Sequence, residues 1–133
     1  TSAFHAEPDM AMVLDVGFAH QPGCDKDVTM NIEKPIITLG PYLNPVLTAK
    51  LEEAAGRIKV EVQKEVAPRG TGTDADEVAA SRAGVPCVLI GIPVKNMHTA
   101  VEVLDMNALE EAARLVAHFA AACEASWEEE LWN

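Results

Sequence analysis

Two stretches of this chain are nearly unbroken apolar runs of strand length, Met10 to Ala19 and Val85 to Ile92. A run without polar alternation is the mark of a strand covered on both faces, so both are predicted to be central in a sheet. Pro35 to Leu39 reads as a shorter strand closed by Gly40-Pro41. Val60 to Val66, V-E-V-Q-K-E-V, alternates apolar and charged positions and predicts a half-exposed strand at an edge. Helical periodicity fills the intervals. Asn44 is a cap with Pro45 at the first helical position, and Val46, Leu47, Leu51 and Ala54 or Ala55 form one apolar face up to Ile58. A second helix is predicted from about Asp74 to Ala83, stopped by Gly84 and Pro86. A third runs from about Met106 to Ala125, with Leu109, Ala112, Ala113, Val116, Phe119 and Ala120 facing inward. Thr1 to Asp9 lacks periodicity and reads as an interrupted element followed by a loop, and His20 to Glu33 is a loop punctuated by Pro22-Gly23. Strands alternating with helices predict an α/β layered fold, a mostly parallel sheet flanked by helices.

Composition narrows the function classes. The chain has 133 residues, 49% of them hydrophobic but only 5% aromatic, so its core is aliphatic. The net charge of −11 argues against nucleic acid and anionic membrane as partners, since both require a basic face. No stretch has the length of an uncharged transmembrane span and no signal peptide is visible, although the sequence starts without Met. Cys24, Cys87 and Cys123 are odd in number and widely spaced, which fits neither a disulfide framework nor a CxxC metal knuckle and suits a reducing cytoplasm. Cys87 and Cys123 read as buried small hydrophobes; Cys24, in P-G-C-D, reads as exposed.

Candidate chemistry is concentrated in and just beyond the two apolar strands. Asp15 is the one charged residue inside M-V-L-D-V-G-F-A, and a carboxylate there needs a partner: a divalent metal, or backbone N–H groups. His98 follows the second strand, where α/β proteins gather reactive groups; it could be a ligand, a general base or a loop histidine. Glu102 stands one turn on if that segment is helical, and could then hold the imidazole as a supporting carboxylate, or be an ordinary surface residue. Gly70-Thr71-Gly72-Thr73-Asp74-Ala75 is a glycine-rich turn opening a helix. It could offer N–H groups to a carbonyl, carboxylate or phosphate, or Thr73 or Asp74 could simply cap the helix, with Asp76 or Glu77 completing a capping box. No Gly-Lys-Ser/Thr follows, so the match to a phosphate loop is poor. His20 follows the Asp15 strand and could approach the site; His5 and His118 have weaker claims. A glycosidase would need two carboxylates beside a sugar site with aromatic platforms, and both Trp residues lie in the tail.

Taken together, L-D-V-G-F-A, then G-P, G-T-D-A, R-A-G-V-P and I-P-V-K-N-M-H-T-A-V-E-V-L-D resemble, in order and spacing, the C-terminal part of the M42 metallopeptidases, the glutamyl and tetrahedral aminopeptidases. The resemblance runs from about Thr1 to the final helix, as part of a single zinc-peptidase-like catalytic domain over residues 1–133. It implies a site of two divalent metal ions, zinc or cobalt, with Asp15 and His98 as two of the metal ligands and Thr73 and Asp74 near the substrate. It further implies a peptide substrate and a homo-oligomeric intact enzyme. In such enzymes a His-x-Asp motif, a bridging Asp and a Glu-Glu pair, which supplies the general base, precede the region resembled. No catalytic residue is therefore expected among residues 1–133, and the chain by itself is expected to be inactive. Lys95 stands where many relatives carry Arg, and Asn96 where an aromatic residue is common, so residue preference does not transfer. The competing expectation is a non-enzymatic truncated or split-gene module that only assembles with a partner chain.

Overall fold

The computed structural model describes residues 2–132, apart from the side chain of Glu128; Thr1, where the predicted first element begins, lies outside the described residues. The element order is α1 (Ser2–Ala6), β1 (Ala11–Phe18), a 3-10 turn (Lys26–Val28), β2 (Ile36–Leu39), α2 (Pro45–Arg57), β3 (Gln63–Val66), α3 (Asp74–Ala79), β4 (Cys87–Lys95), β5 (Val103–Leu104), α4 (Met106–Ala122) and α5 (Trp127–Leu131). The strands form one mixed sheet in the order β1-β4-β2-β3, with β5 also on β4. β1 runs parallel to β4 and β2 parallel to β3, while β4 is antiparallel to both β2 and β5.

One prediction from the apolar runs is corrected here. β4 is central, pairing with β1, β2 and β5, but β1 is an edge strand and one of its faces is open: Leu14, Val16 and Phe18 are 47%, 38% and 52% exposed. Only the first half of that face meets the helical layer, where Met10 and Met12 pack on the main core. β4 also extends past its predicted end, through Pro93 to Lys95. Pro93 falls between the register of β2, which reaches Gly91, and that of β5, which starts at Val94, so its missing N–H costs no ladder bond.

The helices cover both faces. Asn44 caps α2 by accepting from Val46 and Leu47 N–H at 2.9 and 3.1 Å, and its Nδ2 donates to the Leu131 carbonyl at 3.0 Å, fastening α5 to the start of α2. α2 buries Leu47, Leu51, Ala54 and Ala55 as its periodicity predicts. α4 is capped by Asp105 and buries Ala108, Ala112, Leu115 and Phe119, a 3-4 spaced stripe rotated from the predicted one: Leu115 enters the core while Ala113 and Ala120 stay exposed. The buried α2 residues and Ala112, Leu115 and Phe119 join Ile37, Val88 and Ile90 in the main core, and a smaller core beneath α3 joins Leu43, Ala75, Val85, Cys87 and Leu89. α3 ends at Ala79, four residues short of its predicted end. Arg82 takes a left-handed φ of 55° and Gly84 one of 106°, and the Val85 N–H returns to the Ala79 carbonyl at 3.1 Å.

Candidate functional site

Parallel pairing sends β1 and β4 out of the same end of the sheet, where α/β folds collect ligands. The loops that follow them meet there. The Asn96 N–H, just past β4, donates to Oε1 of Gln21, just past β1, at 2.7 Å. His20 lies at the same junction with Nδ1 3.2 Å from the Thr29 hydroxyl, so that imidazole already has one partner.

Asp15 lies opposite Gly91, which in turn lies opposite Ile36 of β2. It points to the face opposite Leu14 and Val16, and it is partly buried. Ile36 is fully buried and leans over the glycines: a methyl group at Gly91 would lie 3.1 Å from its Cβ, and one at Gly17 would lie 2.7 Å from its Cδ1. Two glycines, one opposite Asp15 and one two residues on, thus leave room for the Ile36 side chain. Asp15 Oδ1 accepts from the Val16 N–H at 2.7 Å. That is the backbone partner expected of a strand carboxylate, and lone pairs remain for another ligand.

His98 occupies the turn 96–102 between β4 and β5, and its ring is exposed. Both Asn96 and His98 have left-handed φ values, 56° and 64°. A non-glycine residue held there is strained by about 1–3 kcal/mol, a cost common at functional sites. Hydrogen bonds enforce the shape: the Thr99 hydroxyl donates to the Asn96 carbonyl at 2.7 Å, and the His98 N–H donates to Glu102 Oε1 at 2.7 Å. The helical placement considered for Glu102 is corrected by this geometry, since the segment is a turn leading into β5. In this turn the carboxylate accepts from the main-chain N–H of His98.

The glycine-rich turn is self-contained. Thr73 caps α3, its hydroxyl accepting from Ala75 N–H at 3.2 Å. Asp76 reaches back beyond the cap, accepting from the Thr71 N–H at 3.0 Å, the Thr71 hydroxyl at 2.8 Å and the Gly72 N–H at 3.1 Å. Partial burial alone would raise its pKa, but these three donors outweigh that and hold it below the ordinary value of 3.8. With those N–H groups satisfied internally, what the turn has left to present is the exposed carboxylate of Asp74.

Among the described residues, no three His, Cys, Asp or Glu side chains are grouped so as to hold a metal ion. Asp15 and His98 supply the right donor types for zinc or cobalt, a carboxylate oxygen in the middle of β1 and an imidazole nitrogen in the turn beyond β4. They fit as part of a donor set and do not complete one.

The profile of the M42 glutamyl aminopeptidases matches residues 1–115. The chain belongs to the M42 peptidase family. A lysyl aminopeptidase of Pyrococcus furiosus is 32% identical over 115 residues, covering 86% of this chain and 33% of that protein. Among solved structures, the TET aminopeptidase of the marine sediment archaeon Thaumarchaeota archaeon SCGC AB-539-E09 superposes with a TM-score of 0.90 at 28% identity, covering 98% of this chain and 38% of the other. An aminopeptidase from Desulfurococcus kamchatkensis gives 0.89 at 29%, covering all of this chain and 39% of the other. The M42 chain therefore spans between 33% and 39% of the length of these relatives. No described helix is long and apolar enough to cross a membrane.

Proposed function

We propose that residues 1–133 are the C-terminal part of the catalytic domain of a cytoplasmic, homo-oligomeric aminopeptidase that removes N-terminal residues from peptides. The observation that carries this reading is the M42 match over residues 1–115. Asp15 and His98 would each donate to a divalent ion, zinc or cobalt, in a site of two. Such ions supply Lewis acidity toward the scissile carbonyl and a water of lowered pKa. The chain's own residues have simpler tasks. Asp15 presents a carboxylate whose Oδ1 accepts from the Val16 N–H. His98 presents its imidazole from a turn braced by Glu102 and Thr99. Thr73 and Asp74 lie on the turn that would border the peptide, Asp74 offering a carboxylate to a substrate amine.

The general base and the remaining donors lie outside residues 1–133 in this reading, so the chain alone hydrolyses no aminoacyl-anilide above background with zinc or cobalt. Hydrolysis appears when the rest of the catalytic domain is supplied, and it disappears again in Asp15→Ala and in His98→Ala. Chelator-sensitive peptidase activity from residues 1–133 alone overturns the reading.

A further inference from the structure

The turn that carries His98 is held together mostly from within. The Thr99 hydroxyl donates to the Asn96 carbonyl at 2.7 Å, and the Thr99 N–H donates to the same carbonyl at 3.1 Å. The His98 N–H is taken by Glu102 Oε1. All these partners lie within residues 96–102, so the bonds fix the shape of the turn and not how it sits on the sheet. Among the described residues, one hydrogen bond reaches the turn from outside the β4–β5 hairpin. It is the bond from the Asn96 N–H to Gln21 Oε1, at 2.7 Å.

Gln21 reaches Asn96 from a fixed base. The residues before it are gripped on both sides: the Ala19 N–H donates to the Val94 carbonyl of β4 at 2.9 Å, while the His20 N–H and the Phe18 carbonyl each bond the Met30 backbone at 2.8 Å. The Gln21 carbonyl accepts from the Cys24 N–H at 3.2 Å, and the residue is half-buried. Asp15 lies upstream in β1, so the Gln21 bond ties the strand of one proposed donor to the turn of the other.

We propose that Gln21 is a positioning residue for His98, a role that rests on the function proposed above: its amide oxygen, through the Asn96 N–H, sets the turn so that the imidazole is presented to the metal site that Asp15 also serves. The turn is poised to need such a tie. Asn96 and His98 both hold left-handed φ values, 56° and 64°, a strain of the same order as one hydrogen bond. A segment so balanced changes population when one bond is lost, and the apparent affinity of a ligand falls with the fraction of the protein competent to bind it.

The first measurement is amide exchange in residues 1–133 without metal, read by magnetisation transfer from solvent. In Gln21→Ala the His98 amide, whose own acceptor Glu102 is untouched, should exchange about threefold to tenfold faster. Gln21→Glu keeps an acceptor oxygen and should restore the parent rate, and the Ala19 amide should be unchanged in both variants. The second measurement is a zinc titration followed through the His98 ring resonances. Gln21→Ala should weaken binding by about threefold to tenfold, with little change in the urea midpoint because the bond removed is exposed. Parent-like exchange at His98 in Gln21→Ala, no restoration by Gln21→Glu, or unchanged zinc affinity in Gln21→Ala overturns the proposal. If the parent's zinc binding still depends on Asp15 and His98, the function proposed above survives that outcome. Zinc binding indifferent to both Asp15→Ala and His98→Ala removes the metal reading, and the positioning role with it.

Discussion

Gly17→Ala should destabilise the protein, and Ile36→Val should rescue it. The added methyl at Gly17 would sit 2.7 Å from Ile36 Cδ1, inside van der Waals contact. Ile36 is fully buried, so its tip has no empty space to swing into. Overpacking of this kind costs about 1–3 kcal/mol. The loss of glycine's excess freedom returns about 0.5–1 kcal/mol of that in a strand. A net loss of about 0.5–2 kcal/mol is expected for Gly17→Ala. Ile36→Val deletes the offending Cδ1 at its own cost of about 0.5–1.5 kcal/mol. The double variant should therefore be scarcely less stable than Ile36→Val alone, a coupling of about 1 kcal/mol. Gly91→Ala is the built-in control. Its methyl would meet Ile36 Cβ at 3.1 Å, an atom that valine retains, so Ile36→Val should rescue it far less. Urea unfolding of the variants measures the cycle. Additivity of Gly17→Ala and Ile36→Val within about 0.5 kcal/mol would refute the packing argument.

Other outcomes follow from single contacts. Asn44→Ala removes both the α2 cap and the tie to Leu131, and should cost about 1–2 kcal/mol in chemical unfolding, with α5 exchanging its amides first. Asp76→Ala should lower stability by about 1 kcal/mol at neutral pH. Because the folded-state pKa of Asp76 is depressed, its contribution is present above the ordinary value of 3.8 and fades as pH falls through the lower folded value, so thermal melts of parent and variant should converge in strong acid. Burial pushes the Cys87 thiol up to about 11, so a thiol reagent at mildly alkaline pH should spare Cys87 until the protein unfolds. Glu102→Ala should release the strained turn, raising amide exchange at His98 with little loss of global stability, since the hydrogen bond it removes is exposed.

Local signals in the sequence carried most of the fold. The Asn44-Pro45 start of α2, the short β2 before Gly40-Pro41 and the charged edge strand β3 all follow from neighbours a few residues apart. The position of β1 could not be read that way. A continuous apolar run is read as a strand covered on both faces, but it does not say what covers each face, and one face of β1 is open. The rotation of α4 about Leu115 was hidden for a related reason: nearly every position on that helix is Ala or aliphatic, so periodicity alone defines the buried stripe poorly. At the candidate site, Asp15 and His98 stood out because a charge inside an apolar strand and a histidine past one are chemically conspicuous. The role of Glu102 depended on whether residues 96–102 turn or coil into a helix, and it is the left-handed geometry of Asn96 and His98 that makes the segment a turn. The match of Asp76 to Thr71 and Gly72 extends the expected capping box backward by two residues, which a spacing rule centred on the cap does not contain.

The claim that Asp15 and His98 are metal donors is tested most directly by calorimetric titration of residues 1–133 with zinc. Two donors leave most coordination positions to water, so binding should be micromolar or weaker. It should weaken further in His98→Ala and in Asp15→Ala, and vanish in the double variant. Nanomolar affinity would mean that other side chains complete a site, His20 being the first to replace. A titration that is the same for the parent and the Asp15→Ala/His98→Ala variant would contradict the assignment outright.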